Sequence, residues 1–530
     1  MNKRIVCLLA AIVLLFSYCK KDTDREPAYL KVDNDFLRLM GLGSTSNSFS
    51  IQSNAGWRIF SSEDWLTIDV STGTGDAKIT VQASNTNTAI TSRTATLTLK
   101  STGDTSIQPI TITVLQQPVE ITISTAKFLG GPGGSLYDHL YNAVRTRDGG
   151  FIMAGMVLSR SPDMTPHNID DMWVIKTDAN GNLLWQKAMG GSYLDRARKV
   201  IEMEDGGYTV VGTVESYDGD IPAIHGYNDA AIVRLDAAGN IKWKKVWGGS
   251  GREAAHAAVE TADGGLIISG SSNSNDGDME GQLKGSSDIW LLSLDKDGNS
   301  RWQKTIGGMG GEDHTSIIKT ADNTYLLLGT TSSNDGEFAS DVTNNYLHAF
   351  IREIDANGNK LMHVNYTGSE YGQLSSGVQT ADGGFILIGG NESNDGDFIS
   401  NRGGRDAWLL KIDRRGNKAW QKLLGGSSGD EAYSVRIVDN GYLVIGDSWS
   451  ENRDLNANLG DNDIWVFQVD DKGTIQWQKS FGGTRADDAI DIFFNADKTI
   501  TVLVNTVSND ENCKGNPGGA SPAMFKLTVQ

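Results

Sequence analysis

Cys19 is the first residue in the chain whose setting points to a defined chemistry. Lys3 and Arg4 precede an apolar run from Ile5 to Phe16, and Ser17-Tyr18-Cys19-Lys20-Lys21-Asp22 follows it. A basic start and a short apolar stretch read as an export signal over residues 1–18, with the Cys19 thiol at the expected cleavage point and available for modification. The other reading is an ordinary cleaved signal with a bystander cysteine. Oxygen chemistry is offered by Asp276, Asp278, Asp395 and Asp397, which flank glycine in Ser-Asn-Asp-Gly-Asp segments. Paired carboxylates of this kind suit a hard cation such as Ca2+, and Asx-turn hydrogen bonding accounts for the same spacing equally well. Trp449 and Tyr217 offer flat rings, and sugar C–H faces stack on such surfaces. Either ring can instead fold back over its own loop.

The sequence shows no familiar catalytic constellation. The seven histidines form no close pair at metal-ligand spacing and no HExxH pattern. There is no P-loop and no strand–turn–helix nucleophile elbow. Most carboxylates recur in several copies of a repeat, among them Asp178, Asp236, Asp295, Asp355, Asp413 and Asp470, as turn residues do. The expectation is a non-catalytic protein, with a glycan-active enzyme as the third reading.

Composition narrows the partners. The 530 residues carry 47 Lys and Arg against 66 Asp and Glu, a net charge of −19, which disfavours nucleic acid and anionic membrane surfaces. Three cysteines, Cys7, Cys19 and Cys513, cannot build a disulfide framework or a structural zinc site. Glycine is abundant (62) and proline scarce (9), the balance of a chain with many tight turns.

These residues must be held by something. Residues 28–118 alternate apolar and polar positions in runs such as Ala77-Lys-Ile-Thr-Val-Gln and Arg93-Thr-Ala-Thr-Leu-Thr-Leu, which predicts a half-buried antiparallel sheet. Gly56-Trp57, Asp64-Trp65-Leu66, Ser71-Thr-Gly73-Thr-Gly75, Asn87 and the closing Ile112-Thr-Val-Leu-Gln-Gln117 make this stretch resemble the BACON family of Bacteroidota. That resemblance implies a small Ig-like β-sandwich with Trp57 and Trp65 in its core, acting as a spacer. The segment around Cys19 likewise resembles a bacterial lipoprotein lipobox, which implies a lipid-anchored tether over residues 19–27.

From residue 119 the chain repeats. An Asp-Gly-Gly-like turn recurs at Asp148, Asp205, Asp263, Asp322, Asp382, Asp439 and Asp497, at spacings of 57 to 60 residues. Each copy holds four short strands, here lettered A to D. The seventh copy stops after strand C, and Ile121–Leu129 supplies a spare D-type strand ahead of the first. The prediction is an all-β chain: the sandwich, then a seven-bladed β-propeller over residues 119–530, closed by an N-terminal strand clasp. The repeats resemble the DGGY, SNDGD and WQK repeat proteins of secreted Bacteroidota chains.

Strand order puts the B–C and D–A loops on one face, where sequence varies, and binding sits on variable loops of rigid scaffolds. Trp449 and Tyr217 fall there, as do Asp195, Glu253, Asp313, Asp430 and Asp487, read as D–A loop carboxylates. Trp185, Trp243, Trp302, Trp420 and Trp477 share a D-strand position, and Trp173, Trp290, Trp408 and Trp465 share the start of strand C, so these are packing residues. The function expected is a lipid-anchored outer-membrane or cell-surface protein that binds a glycan or glycoprotein through this face, with the membrane reached only through the lipid. The alternative is a structural or protein–protein module of an envelope complex.

Overall fold

The computed structural model describes residues 27–88, 92–124, 126–129, 138–158, 170–222, 224–281, 283–338, 346–398, 401–452, 454–455 and 458–530. The export signal and Cys19 lie outside these residues. The chain divides into two compact units, residues 1–118 and 119–530.

In the first unit, period-2 alternation becomes a two-sheet sandwich. Leu30–Val32, Ser46–Ser53, Ala77–Ala83 and Leu66–Ile68 form one sheet in that order, and Phe36–Leu39, Ile110–Gln116, Arg93–Ser101, Gly56–Ser61 and Thr72–Thr74 form the other. Alternate residues are buried along Ala77–Ala83 (Ile79, Val81, Ala83), Arg93–Ser101 (Ala95, Leu97, Leu99) and Ile110–Gln116 (Ile112, Val114, Gln116). Trp57 and Trp65 pack in the core with Ile79, Val81, Leu97 and Val114. Trp57 also donates its indole N–H to Gly75 O at 2.8 Å, which meets the rule that a buried polar atom needs a partner. Both tryptophans are packing residues here.

The second unit holds seven antiparallel sheets of A-B-C-D order among the described residues. Their A strands are His139–Arg145, Asp195–Glu202, Glu253–Glu260, Glu312–Lys319, Gly372–Gln379, Asp430–Val438 and Asp487–Phe494. Each A strand contacts the A strand of the next sheet, and the seventh contacts the first. That cycle is a closed propeller ring. Central strands such as Asp288–Leu294 and Asp406–Ile412 are buried throughout, as strands covered on both faces must be.

Sheets stack through the repeated tryptophans. Trp173, Trp290, Trp408 and Trp465 are fully buried. The D-strand rings lie across the next sheet's C–D turn, and Trp185 covers Gly239 so closely that a Cβ there would meet the indole at 3.0 Å. Met362 takes the same place over Gly416.

The ring closes as the spare strand implied, in two pieces. Ile121–Ile123 pairs with Leu527–Val529, and Lys127–Phe128 pairs with Ala523–Met524. The first and seventh sheets share a core in which the rings of Phe151 and Phe493 lie 5.1 Å apart.

Candidate functional site

The loop face is built on a repeated latch. At the start of strand A, Asp195, Glu253, Asp430 and Asp487 are fully buried. Each accepts a backbone N–H from the preceding Gly-Gly turn, as Gly191 N to Asp195 (2.9 Å) and Gly483 N to Asp487 (2.7 Å) do. Hydroxyls of Ser216, Ser272, Ser450 and Ser508 complete their shells. These four carboxyls are therefore strand residues that hold the turn, not ligand-facing loop residues. Among the five read as D–A loop carboxylates, Asp313 alone keeps its side chain mostly exposed.

A second carboxyl stands at the start of each neighbouring C strand. Gly425 lies between Asp406 and Asp430, and Gly482 between Asp463 and Asp487, within 3 Å of where a Cβ would sit. Burial, with the facing carboxylate adding to it, raises Asp406 and Asp463 to about 6.

The four proposed cation ligands serve the same latch. Asp276 accepts Ser250 N at 2.7 Å and Asp395 accepts Ser369 N at 2.7 Å, while Asp278 and Asp397 accept Gly248 N and Thr367 N. Among the described residues no three His, Cys, Asp or Glu side chains gather as a metal-holding group. What the geometry gives these aspartates is the task of tying the B–C loop to the D–A turn.

The aromatic candidates lie on this face but apart. Trp449 follows the sixth sheet's B strand and is 44 % exposed, its backbone N–H donating to Gly429 O. Tyr217 belongs to the second sheet, three sheets away round the ring. Its hydroxyl donates to Gly226 O of its own loop (2.9 Å), yet its ring stays 58 % exposed. Tyr193 meets it edge-on at 6.0 Å and is 52 % exposed. Tyr227, 71 % exposed, lies under the Arg252 guanidinium at 5.7 Å. The sequence reading missed Tyr193 and Tyr227.

It missed a cavity as well. Every A strand slips register at one place, from Leu140/Asn142 in the first sheet to Ala489/Asp491 in the seventh. A bulge leaves one residue unpaired and re-aims its side chain. Residues at these slips, with neighbours from all seven A strands, line a cavity of about 480 Å3 on the ring axis, within the usual range of small-molecule sites.

One wall is basic, with Arg198 and Lys199 on the second sheet; the opposite wall carries Tyr433, Asp447, Asp488 and Asp491 from the sixth and seventh. Arg436 pairs with Asp491 at 2.6 Å, which also accepts Ser434 Oγ at 2.7 Å. Arg198 lies over the Tyr141 ring at 4.6 Å. Burial pulls Lys199 below its usual range, with Asp491 opposing. Burial pushes Asp447 well up against the N–H of Ala489, and Asp488 and Glu431 add to the rise. Three residues past each slip the chain is apolar, at Val144, Ile201, Val259, Ile318, Val378 and Phe493, which pack into the cores between sheets, with Arg436 the exception that lines the cavity.

The signal that could have found the cavity is the variation at the slip itself: Tyr141, Arg198, His256, Ser375, Tyr433 and Ile490 occupy one repeat position. Cys513 is buried beside Asp487, and burial pushes its thiol up to about 12, so it stays an inert thiol. Gly425-Gly426-Ser427-Ser428-Gly429 does spell G-x-S-x-G, but it is a strand-to-strand turn in which Ser427 is held by Asn452.

The family described as Viral BACON domain matches residues 31–115, the sandwich. The chain is 22% identical over 402 residues to the regulatory protein FlaEY of Caulobacter vibrioides; the match covers 67% of this chain and 42% of that protein, so it spans under half of that relative. Similar solved structures include the Neurospora crassa Pan2 WD40 domain, 7% identical with a TM-score of 0.41 over 76% of this chain and 95% of that one. The extracellular domain of a B. thetaiotaomicron one component system is 11% identical with a TM-score of 0.38, over 81% of this chain and 44% of that one.

Proposed function

We propose that this chain is a non-catalytic, lipid-anchored surface protein that binds a glycan or glycoprotein through the B–C/D–A face of its propeller. In this reading Cys19 carries the lipid and the BACON-type sandwich stands between anchor and propeller. The observation that carries the reading is the contrast among aromatic rings. Tryptophans at repeated blade positions pack between sheets, whereas Trp449, Tyr193 and Tyr217 break the repeat and, with Tyr227, present their rings to solvent on one face. Exposed rings on a rigid scaffold are stacking platforms for sugars, and their protein neighbours supply hydrogen bonds. The sandwich matters to the test, because BACON-type domains are themselves named for proposed carbohydrate binding. A glycan array probed separately with residues 28–118 and 119–530, each with and without Ca2+, assigns the activity. Signal from residues 119–530 supports the reading; signal confined to residues 28–118 contradicts it. A dependence on Ca2+ would restore Asp276, Asp278, Asp395 and Asp397 as ligands.

A further inference from the structure

We propose that the axial cavity is a second binding site, for a sugar that bears one anionic group, with Arg198 and Lys199 receiving the charge. The site is separate from the loop-face aromatics, so failure of either leaves the other standing.

The cations that neighbour this cavity differ in their partners. Arg436 is bound to Asp491, and Arg196, one residue pair above Arg198 on the same strand, reaches Asp170 at 3.9 Å. Arg198 and Lys199 make no hydrogen bond or ion pair with protein among the described residues; Arg198 only stacks over Tyr141. A guanidinium held over a ring and bound to no protein acceptor keeps its N–H groups for a ligand, and a carboxylate or sulfate takes two of them at once. Lys199, half-buried at the next position, gains most from an anion because burial otherwise disfavours its charge.

The opposite wall limits how much negative charge can enter. Asp488 and Asp491 lie across the cavity, so a ligand with several anionic groups would meet repulsion there. The remaining polar groups, Gln373, Ser375 and the Tyr433 phenol among them, donate and accept hydrogen bonds without carrying full charge. A single anion on one side and hydroxyls over the rest describes an acidic or sulfated sugar, and about 480 Å3 is ample for one or two sugar rings.

Calorimetry on the purified mature chain with glucuronate, glucose 6-sulfate, glucose and inorganic sulfate tests this. Glucuronate or glucose 6-sulfate is expected to bind at least tenfold more tightly than glucose, and whichever is tighter identifies the anion. Arg198→Gln and Lys199→Gln should each weaken that ligand at least tenfold, and Arg198→Lys should keep part of the affinity. The wild-type comparison alone stands even if a variant fails to fold. Equal binding of glucose, equal binding of inorganic sulfate, or no binding of either anionic sugar overturns the proposal.

Discussion

Trp449 and Trp408 carry the same side chain in opposite surroundings, one ring half in solvent on a loop, the other sealed between strands. Replacing Trp449 by Ala should weaken a stacked sugar by about 5- to 30-fold, ~1–2 kcal/mol, and change stability little. Trp408→Ala should lose about 3–5 kcal/mol of stability through its cavity. Melting temperature measured beside affinity separates the two. The tryptophans were legible in the sequence because they recur at fixed repeat positions. The buried latch carboxyls were not, because a strand that begins with Asp reads as a loop until its hydrogen bonds are seen.

Those carboxyls set a pH signature. Asp406 and Asp463 sit at about 6 in the folded chain against an ordinary value of 3.8. Their protonated form favours folding, so the contribution is complete below about pH 4 and is lost as pH rises through 6, up to about 3 kcal/mol each by linkage. His314, held at about 3 by burial, acts in the opposite sense: its contribution is full above about pH 6.5 and is lost as pH falls from there toward 3. The readout is therefore a difference: Asp406→Asn should melt with a smaller loss than wild type between pH 4.5 and 7.5. Parallel pH profiles for the two would contradict the raised value. The turn aspartates Asp382 and Asp497, held near 2 by hydrogen bonds from Thr380 and Lys411, and from Thr499 and Lys526, act only in stronger acid, where their contribution is lost.

Among the elements, the clasp is legible in the sequence through the repeat count and the missing last strand. The two separate pairings, Ile121–Ile123 and Lys127–Phe128, were not readable, because the run from Ile121 to Leu129 looks continuous. Deleting residues 119–131 strips the last C strand of its outer neighbour, and the loss of ladder bonds and packing should lower stability by several kcal/mol. Removing residues 28–115 should leave the propeller's melting transition in place, since the sandwich has its own core. Equal melting of both truncations and the intact chain would rule out closure through residues 121–129. The A-strand bulges escaped the sequence for a physical reason. Alternation marks which residues face one side, whereas a one-residue slip is a property of pairing and leaves the residue types unchanged. The polar cavity they create therefore looked like ordinary strand surface.

For the molecule as a whole, charge and address can be tested apart from binding. Cys19→Ala should release the chain from the membrane fraction and abolish acyl-lipid labelling; labelling that persists would exclude that thiol as the anchor. Residues 28–118 are nearly neutral, with six basic and seven acidic side chains, so the net −19 belongs almost wholly to the propeller. Within that acidic ring the basic wall at Arg198 and Lys199 is a local exception, while the loop face owes its distinction to aromatic rings. The central claim is that those rings bind sugar. A glycan array of residues 28–530 beside the Trp449→Ala, Tyr193→Ala, Tyr217→Ala triple variant addresses it directly. The account predicts a defined set of glycans bound by the intact face and lost from a variant that melts at the same temperature. Binding that survives all three substitutions, or its absence from the unsubstituted chain, would contradict it.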